Sequence, residues 1–96
     1  MTTRAGREAE FRELARDLEM ATHAEDDGCV TYTFLQQQSD PRRFVVFEQW
    51  RDLDAVVAHL GRLVQVFGPP REGDALPARL MGYPEASDGV RYVPLT

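Results

Sequence analysis

The chain contains no lysine, no asparagine and no isoleucine, and it has a single cysteine, Cys29. The three absent residue types are those with AT-rich codons, so the composition is typical of a GC-rich bacterial genome. One cysteine cannot form an internal disulfide, and no apolar run approaches the roughly 18 residues that span a membrane. The polar N-terminus also lacks a signal-peptide pattern. We therefore predict a cytoplasmic protein without a membrane partner.

The sequence also lacks a basic stretch. Sixteen acidic residues against eleven arginines give a net charge of −5, and the arginines are scattered from Arg4 to Arg91. A phosphate backbone repels such a surface, so we predict no nucleic-acid partner. Ninety-six residues with 43% apolar content are enough for one small folded domain, which we expect to span residues 1–96.

Motifs that mark a particular chemistry are absent as well. The sequence has no glycine-rich phosphate loop, no paired-cysteine metal spacing and no nucleophile elbow. His23 and His59 do not make a metal site on their own, so we predict neither a metal nor a cofactor. Cys29 follows a glycine at the start of a strand pattern, and the simplest role for it is that of a small buried apolar residue.

Two stretches show the apolar period of 3.6 residues that is typical of a helix. The first covers residues 5–24, with Gly28 well placed to end it. The second follows Asp52, a good N-cap, and it stops at Gly68, which precedes two prolines. We predict two main helices.

Between the helices the period changes to two, over residues 29–37 and 44–50, with a turn through Asp40 and Pro41. These strands predict a β-hairpin. Alternation places Val30, Tyr32 and Phe34 on one face of the first strand. On the second strand, one face carries Phe44, Val46, Glu48 and Trp50. Large apolar residues also occupy the other face, which two helices cannot cover. We therefore predict a homodimer in which a second copy buries it.

The C-terminal third is less regular. Residues 78–83 fit either a strand or a short helix, residues 84–89 are rich in turn formers, and residues 90–95 alternate as a strand. Helix, hairpin, helix and strand together predict an α+β fold of the ferredoxin-like type, with an antiparallel sheet and two main helices.

The sequence resembles the antibiotic biosynthesis monooxygenase family, whose members form dimeric α+β barrels. The resemblance rests on four segments in order, REAEF at residues 7–11, EDDGCVTY at 25–32, FVVFEQW at 44–50 and DLDAVVAHL at 52–60, and it covers about residues 5–63. It implies a pocket between the sheet and the helices that binds a polycyclic aromatic substrate. It also implies that O₂ is used without metal or flavin, because the substrate itself supplies the electrons.

The resemblance further implies site residues. Trp50 matches the family's active-site tryptophan, and His59, at a position expected to face the pocket, is the candidate catalytic base. The residues expected to bind the aromatic substrate are Tyr32, Phe34, Phe47, Glu48 and Phe67. Structural roles are an alternative for the main members: Trp50 as a core residue, His59 as a helix residue with a satisfied hydrogen bond, and Glu48 as an ion-pair partner. At Val46 the sequence departs from some of the quinone-forming members, which place an asparagine there.

Three functions remain open. The first is a cofactor-independent monooxygenase that acts on an aromatic or quinone-type metabolite. The second is a non-catalytic accessory dimer that binds a small molecule, and the third is an isomerase or lyase that uses the same base without oxygen.

The N-terminus departs from the family pattern, because members usually begin with a full central strand. Here residues 1–6 resemble only the end of that strand and its turn, whereas residues 90–95 resemble the strand itself. A circular permutation, with residues 78–83 and 90–95 as a hairpin, would account for this, although Pro94 weighs against a central strand. A start codon assigned too far downstream, or a strand exchanged with a partner subunit, would account for it equally.

Overall fold

A computed structural model describes residues 1–73, 76–86 and 88–90. Its elements are β1 (Thr2–Thr3), α1 (Glu8–Glu25), β2 (Cys29–Gln36), β3 (Phe44–Trp50), α2 (Leu53–Phe67), a 3₁₀ turn (Leu80–Gly82) and β4 (Pro84–Ala86). β1 pairs antiparallel with β4 and, through a bridge from Thr2 to Arg43, meets the start of β3, which pairs with β2. The described strands therefore form two two-stranded antiparallel sheets, β1 with β4 and β2 with β3, which this bridge connects, and the predicted ferredoxin-like α+β fold is confirmed.

The first helix begins at Glu8 and ends at Glu25. Phe11, Ala15 and Leu18 recur at helical spacing and are buried, as the apolar period predicts. The prediction that Gly28 ends this helix is wrong, because Asp26 in an extended conformation forms the C-cap. Gly28 is instead buried where the chain enters β2 and lies against α2.

The ends of the second helix are as predicted. The Asp52 carboxylate accepts a hydrogen bond from the backbone N–H of Ala55 at 2.9 Å, which satisfies one of the free donors of the first turn. At the other end Gly68 has φ of +97°, a backbone conformation that residues other than glycine rarely adopt. α2 packs on β3, and α1 packs on β2.

The two strands of the hairpin present one face to the helices, here named the covered face. Tyr32 lies opposite Glu48, and Phe34 lies opposite Val46. A β-bulge between Cys29 and Thr31 reverses the alternation at the start of β2. The predicted placement of Val30 with Tyr32 is therefore wrong: Val30 is 63% exposed, and Cys29 takes its place in the covered cluster.

The opposite face of the hairpin, here named the open face, carries Leu35, Val45 and Phe47. These side chains are 56%, 57% and 48% exposed. They alternate with the covered residues, and within the described part of the chain no helix covers them. Large apolar residues on both faces of the hairpin are what the strand pattern predicts.

Side chains of α1 occupy the free edge of β2. The Glu19 carboxylate accepts a hydrogen bond from the backbone N–H of Phe34, and His23 Nε2 lies 3.0 Å from the carbonyl oxygen of Tyr32. Glu19 and His23 are one helical turn apart, so both reach the same edge. These contacts occupy the Phe34 N–H and the Tyr32 carbonyl, which an uncovered edge strand would offer to another strand.

The C-terminal part differs from the pattern-based reading. Of the two predictions for residues 78–83, a strand or a short helix, the helical one is closer, because the segment contains the 3₁₀ turn Leu80–Gly82. The hairpin strand proposed there is wrong, and the strand β4 lies in the segment that was predicted to be turns. Residues 91–96 lie outside the described part, so the permuted strand at 90–95 stays a prediction. Among the described residues, no helix is long and apolar enough to cross a membrane.

Candidate functional site

Three aromatic rings meet on the covered face, each supplied by a different element. His59 lies on α2, Trp50 at the end of β3 and Tyr32 on β2. The ring centroid of His59 is 4.6 Å from that of Trp50 and 5.2 Å from that of Tyr32. The centroids of Tyr32 and Trp50 are 6.2 Å apart. His59 is 3% exposed and Tyr32 is 5% exposed. The structure thus brings together the two predicted catalytic residues and one predicted substrate contact.

A network of hydrogen bonds holds the His59 imidazole in place. His59 Nδ1 lies 2.7 Å from Asp26 Oδ2. Arg62 donates to both carboxylate oxygens of Asp26, from Nε at 2.9 Å and from Nη2 at 3.0 Å. Arg62 Nη2 also donates to the hydroxyl of Thr22 at 3.2 Å. The end of α1 and the middle of α2 are therefore joined through one buried carboxylate.

The charges of this network follow from its hydrogen bonds. Burial acts to raise the pKa of Asp26, but the hydrogen bonds from Arg62 and His59 outweigh it and lower this pKa below its ordinary value. The hydrogen bond to Asp26 raises the pKa of Arg62. Asp26 is therefore an ionised acceptor at neutral pH.

Tyr32 cannot serve as a base at neutral pH. Burial, with a further contribution from the negative charge of Glu48, raises the pKa of its phenol far above the ordinary value of 10. The hydroxyl stays protonated, so the chemistry left to Tyr32 is packing and hydrogen-bond donation. Within the described residues, every fully buried side-chain nitrogen or oxygen has a hydrogen-bond partner. The hydrogen bond of His59 to Asp26 is made through Nδ1, so Nε2 is the ring nitrogen left for a substrate.

The remaining predicted site residues divide into two groups. Phe34 packs edge-on to Tyr32 with ring centroids 5.6 Å apart, and Phe67 packs at the border of the same cluster. Glu48 is exposed, but its Oε1 accepts a hydrogen bond from the indole nitrogen of Trp50 at 3.0 Å. Phe47 is not brought to the rings, because it lies on the open face.

Cys29 lies half-buried beside the cluster. Burial, together with the negative charges of Asp26 and Glu48, raises the pKa of its thiol. A thiol that resists ionisation is a poor nucleophile, which agrees with the packing role predicted for it.

Two shallow clefts of about 270 Å³ each border the site. One lies beside Asp26, Gly28 and Ala55, and the other lies between α1 and the sheet, next to Phe34 and Phe44. Neither cleft is lined by His59, Trp50 or Tyr32, so the rings are packed against one another in this conformation. Among the described residues, no group of three or more histidine, cysteine, aspartate or glutamate side chains could hold a metal ion.

The sequence did not predict Asp26, Arg62 or Thr22 as members of the site. Asp26 is 33 positions from His59 and 36 from Arg62, and no local period connects such distant residues. One signal was available: Arg62 follows His59 by three residues in the same helix, so the two side chains share a helical face.

The fold and the ring cluster define a ferredoxin-like α+β protein with an aromatic site between the sheet and a helix. A family model described as antibiotic biosynthesis monooxygenase matches residues 1–63, and the chain belongs to this family. The recognised resemblance is thereby confirmed.

A solved structure from Deinococcus radiodurans, described as a candidate antibiotic biosynthesis monooxygenase, is similar to the whole chain. The TM-score is 0.60 at 24% sequence identity, and the match covers 97% of this chain and 92% of that one. At this identity the likeness supports the fold alone. No curated protein matches the chain.

Proposed function

We propose that the protein is a cofactor-independent monooxygenase that oxidises an aromatic or quinone-type small metabolite with O₂. The observation that carries this proposal is the contact of the His59 imidazole with the rings of Trp50 and Tyr32. Family membership supports a general monooxygenase-like function. A base among aromatic rings suits a flat substrate that must lose a proton before it reacts with oxygen.

The chemistry is written for an anthrone-type substrate. His59 takes a proton from the activated CH₂ group, and the electron pair of the broken C–H bond stays on the substrate as a delocalised anion. That anion reduces O₂, after which one oxygen atom becomes the new carbonyl and the other leaves as water with the two hydrogens. Trp50 and Tyr32 hold the ring system and exclude bulk water, with Phe34 and Phe67 behind them.

We also propose that the working unit is a homodimer in the cytoplasm, formed through the open face. Leu35, Val45 and Phe47 are the support for this proposal, since each exposes about half of a large apolar side chain to water. Burial of one such side chain stabilises a contact by about 1–2 kcal/mol.

A second candidate function is binding without catalysis. The observation that favours it is that His59 and Tyr32 are nearly buried and that neither cleft is lined by them. In this case the site opens to admit a ligand, and the His59 imidazole only hydrogen-bonds Asp26. An aromatic molecule would then be bound and released unchanged.

Oxygen uptake with a panel of anthrones and hydroquinones tests the first proposal. His59→Gln should lower turnover by about 10²–10⁴-fold, because glutamine cannot accept the proton. His23→Gln is the matched control, since it replaces an exposed imidazole and keeps a donor for the Tyr32 carbonyl; its turnover should stay unchanged. Trp50→Phe should weaken substrate binding. Binding of the panel without uptake would support the second candidate, and turnover retained in His59→Gln would contradict the role of His59.

Light scattering tests the dimer. The unmodified protein should have the mass of two chains at micromolar concentration, and Phe47→Glu should have the mass of one. Met20→Glu is the control, because Met20 is an exposed apolar residue of α1 and is not on the open face. A single-chain mass for the unmodified protein would refute the proposed interface.

A further inference from the structure

We propose that Asp26 is a positioning residue that holds His59 in the tautomer protonated at Nδ1, so that Nε2 is the atom that accepts the substrate's proton. The catalytic part of this inference rests on the proposed function. The tautomer does not, since it is a property of the folded chain without any substrate.

The carboxylate is held in place on both of its oxygens. Arg62 contacts Oδ1 and Oδ2 in a bidentate arrangement, and its hydrogen bond to Thr22 ties the guanidinium to α1. The Asp26 side chain is 7% exposed, so water does not compete strongly for these bonds. A carboxylate fixed in this way presents Oδ2 to one position only, which Nδ1 of His59 occupies at 2.7 Å.

The donor and acceptor inventory fixes the tautomer. Arg62 has five N–H donors and no acceptor, so it can bind Asp26 in this manner only while the carboxylate is ionised. An ionised carboxylate offers no proton, and Nδ1 must therefore carry the hydrogen of the bond to Oδ2. A neutral imidazole has a single N–H, which leaves the lone pair on Nε2.

The same arrangement stabilises the state that follows proton transfer. When the substrate's O–H or C–H bond breaks, an Nε2–H bond forms and the electron pair remains on the substrate. The imidazolium that results is next to the Asp26 carboxylate, which stabilises a charge that would be costly to bury alone. This role requires no contact between Asp26 and the substrate, and it suits weak acids such as phenols, enols and activated CH₂ groups, whose anions are delocalised.

The chain provides its own reference for the test, because it contains two histidines. His23 is exposed, and its Nε2 faces a backbone carbonyl, which requires an N–H at that atom. The two imidazoles should therefore be opposite tautomers in the neutral state, with the proton on Nδ1 in His59 and on Nε2 in His23.

Imidazole ¹⁵N NMR of the full chain above neutral pH measures this directly. We expect a directly bonded proton on Nδ1 of His59 and none on Nε2. Asp26→Asn, which keeps the shape of the side chain, should populate the other tautomer, whereas the control Asp27→Asn at the exposed neighbouring position should not. A proton on Nε2 of His59 in the unmodified protein overturns the proposal even if every variant fails to fold. So does an unchanged spectrum in folded Asp26→Asn.

Kinetics separates positioning from substrate contact. Asp26→Asn should lower kcat about tenfold or more while KM changes little, because Asp26 acts through His59 and not on the substrate. A rise in KM with kcat unchanged would overturn the positioning role. If the tautomer is as expected but no oxygen uptake occurs, the proposed function fails and the tautomer inference stands. If uptake occurs with Nε2 protonated, the inference fails and the proposed function stands.

Discussion

The close approach of Gly28 to α2 leads to a quantitative prediction for Gly28→Ala. Gly28 is buried, and its backbone conformation is one that alanine can adopt, so the effect depends on space. A Cβ at this position would overlap the Cβ of Ala55 and lie 3.4 Å from its Cα. The neighbour is the first turn of a helix that Asp52 caps, so it cannot move alone.

The magnitude follows from the overlap. Carbon atoms pack at about 3.5–4.0 Å, so the chain at Gly28 and α2 must separate by about 1.5 Å to admit the methyl group. Overpacking of this kind costs about 1–3 kcal/mol. In a domain of this size a loss of 1 kcal/mol lowers Tm by about 4–8 °C, so Gly28→Ala should be less stable by an easily measured amount.

A double-mutant cycle provides the assay. Urea unfolding is followed through the fluorescence of Trp50, at one protein concentration, for Gly28→Ala, Ala55→Gly and the double variant. Ala55→Gly alone should cost about 1 kcal/mol, because glycine is a poor helix former. The loss of stability in the double variant should be smaller than the sum of the two single losses by about 1 kcal/mol or more, because the double variant removes the overlap. Additive effects, or a Gly28→Ala variant as stable as the unmodified protein, would refute the reasoning.

Three further predictions concern charge and capping. The fold lowers the pKa of Asp26, so ionised Asp26 stabilises the folded chain above the ordinary pKa of 3.8, and this stabilisation is lost as the pH falls through the folded value. The urea midpoint should therefore fall in acid. Asp26→Asn should flatten this dependence on pH, and Asp27→Asn should not. The fold raises the pKa of Tyr32, so the protonated phenol stabilises the folded chain below the ordinary pKa of 10, and this stabilisation is lost at higher pH. Tyr32→Phe should therefore reduce alkaline unfolding measured by circular dichroism. Tyr83→Phe should leave alkaline unfolding as it is in the unmodified protein. Asp52→Ala should lower Tm, while Asp52→Asn, which keeps an acceptor for the Ala55 N–H, should retain most of it; equal losses would contradict the cap.

Local patterns account for the elements that were predicted correctly. The helix ending at Gly68 and the hairpin turn at Pro41 follow from backbone preferences of a few consecutive residues, and side-chain alternation grouped most of the residues that share a face of each strand. Alternation failed where a bulge added one residue at Val30, since nothing in the residue types marks a bulge. It failed again at β4, where Pro84–Ala86 is a strand because β1 offers it a partner, and not because of its composition.

The site was predictable to a lesser degree. Trp50 and His59 came from the family resemblance, and their contact with Tyr32 is a consequence of the hairpin register and of α2 crossing the covered face. Asp26 had a different apparent role, as a residue at the end of a helix. Its pairing with Arg62 depends on how the end of α1 and the middle of α2 approach each other in three dimensions, which no spacing in the sequence encodes.

The occupied edge of β2 bears on how copies of the chain could assemble. Glu19 and His23 occupy the Phe34 N–H and the Tyr32 carbonyl on that edge, which disfavours the addition of another strand there. A contact between two open faces related by a two-fold axis is self-complementary and uses each face once. Growth by such a contact ends at two copies, whereas an unprotected edge would leave a repeating, filament-forming contact available. In the proposed dimer, these two polar side chains of α1 oppose further growth at the β2 edge without taking part in the interface.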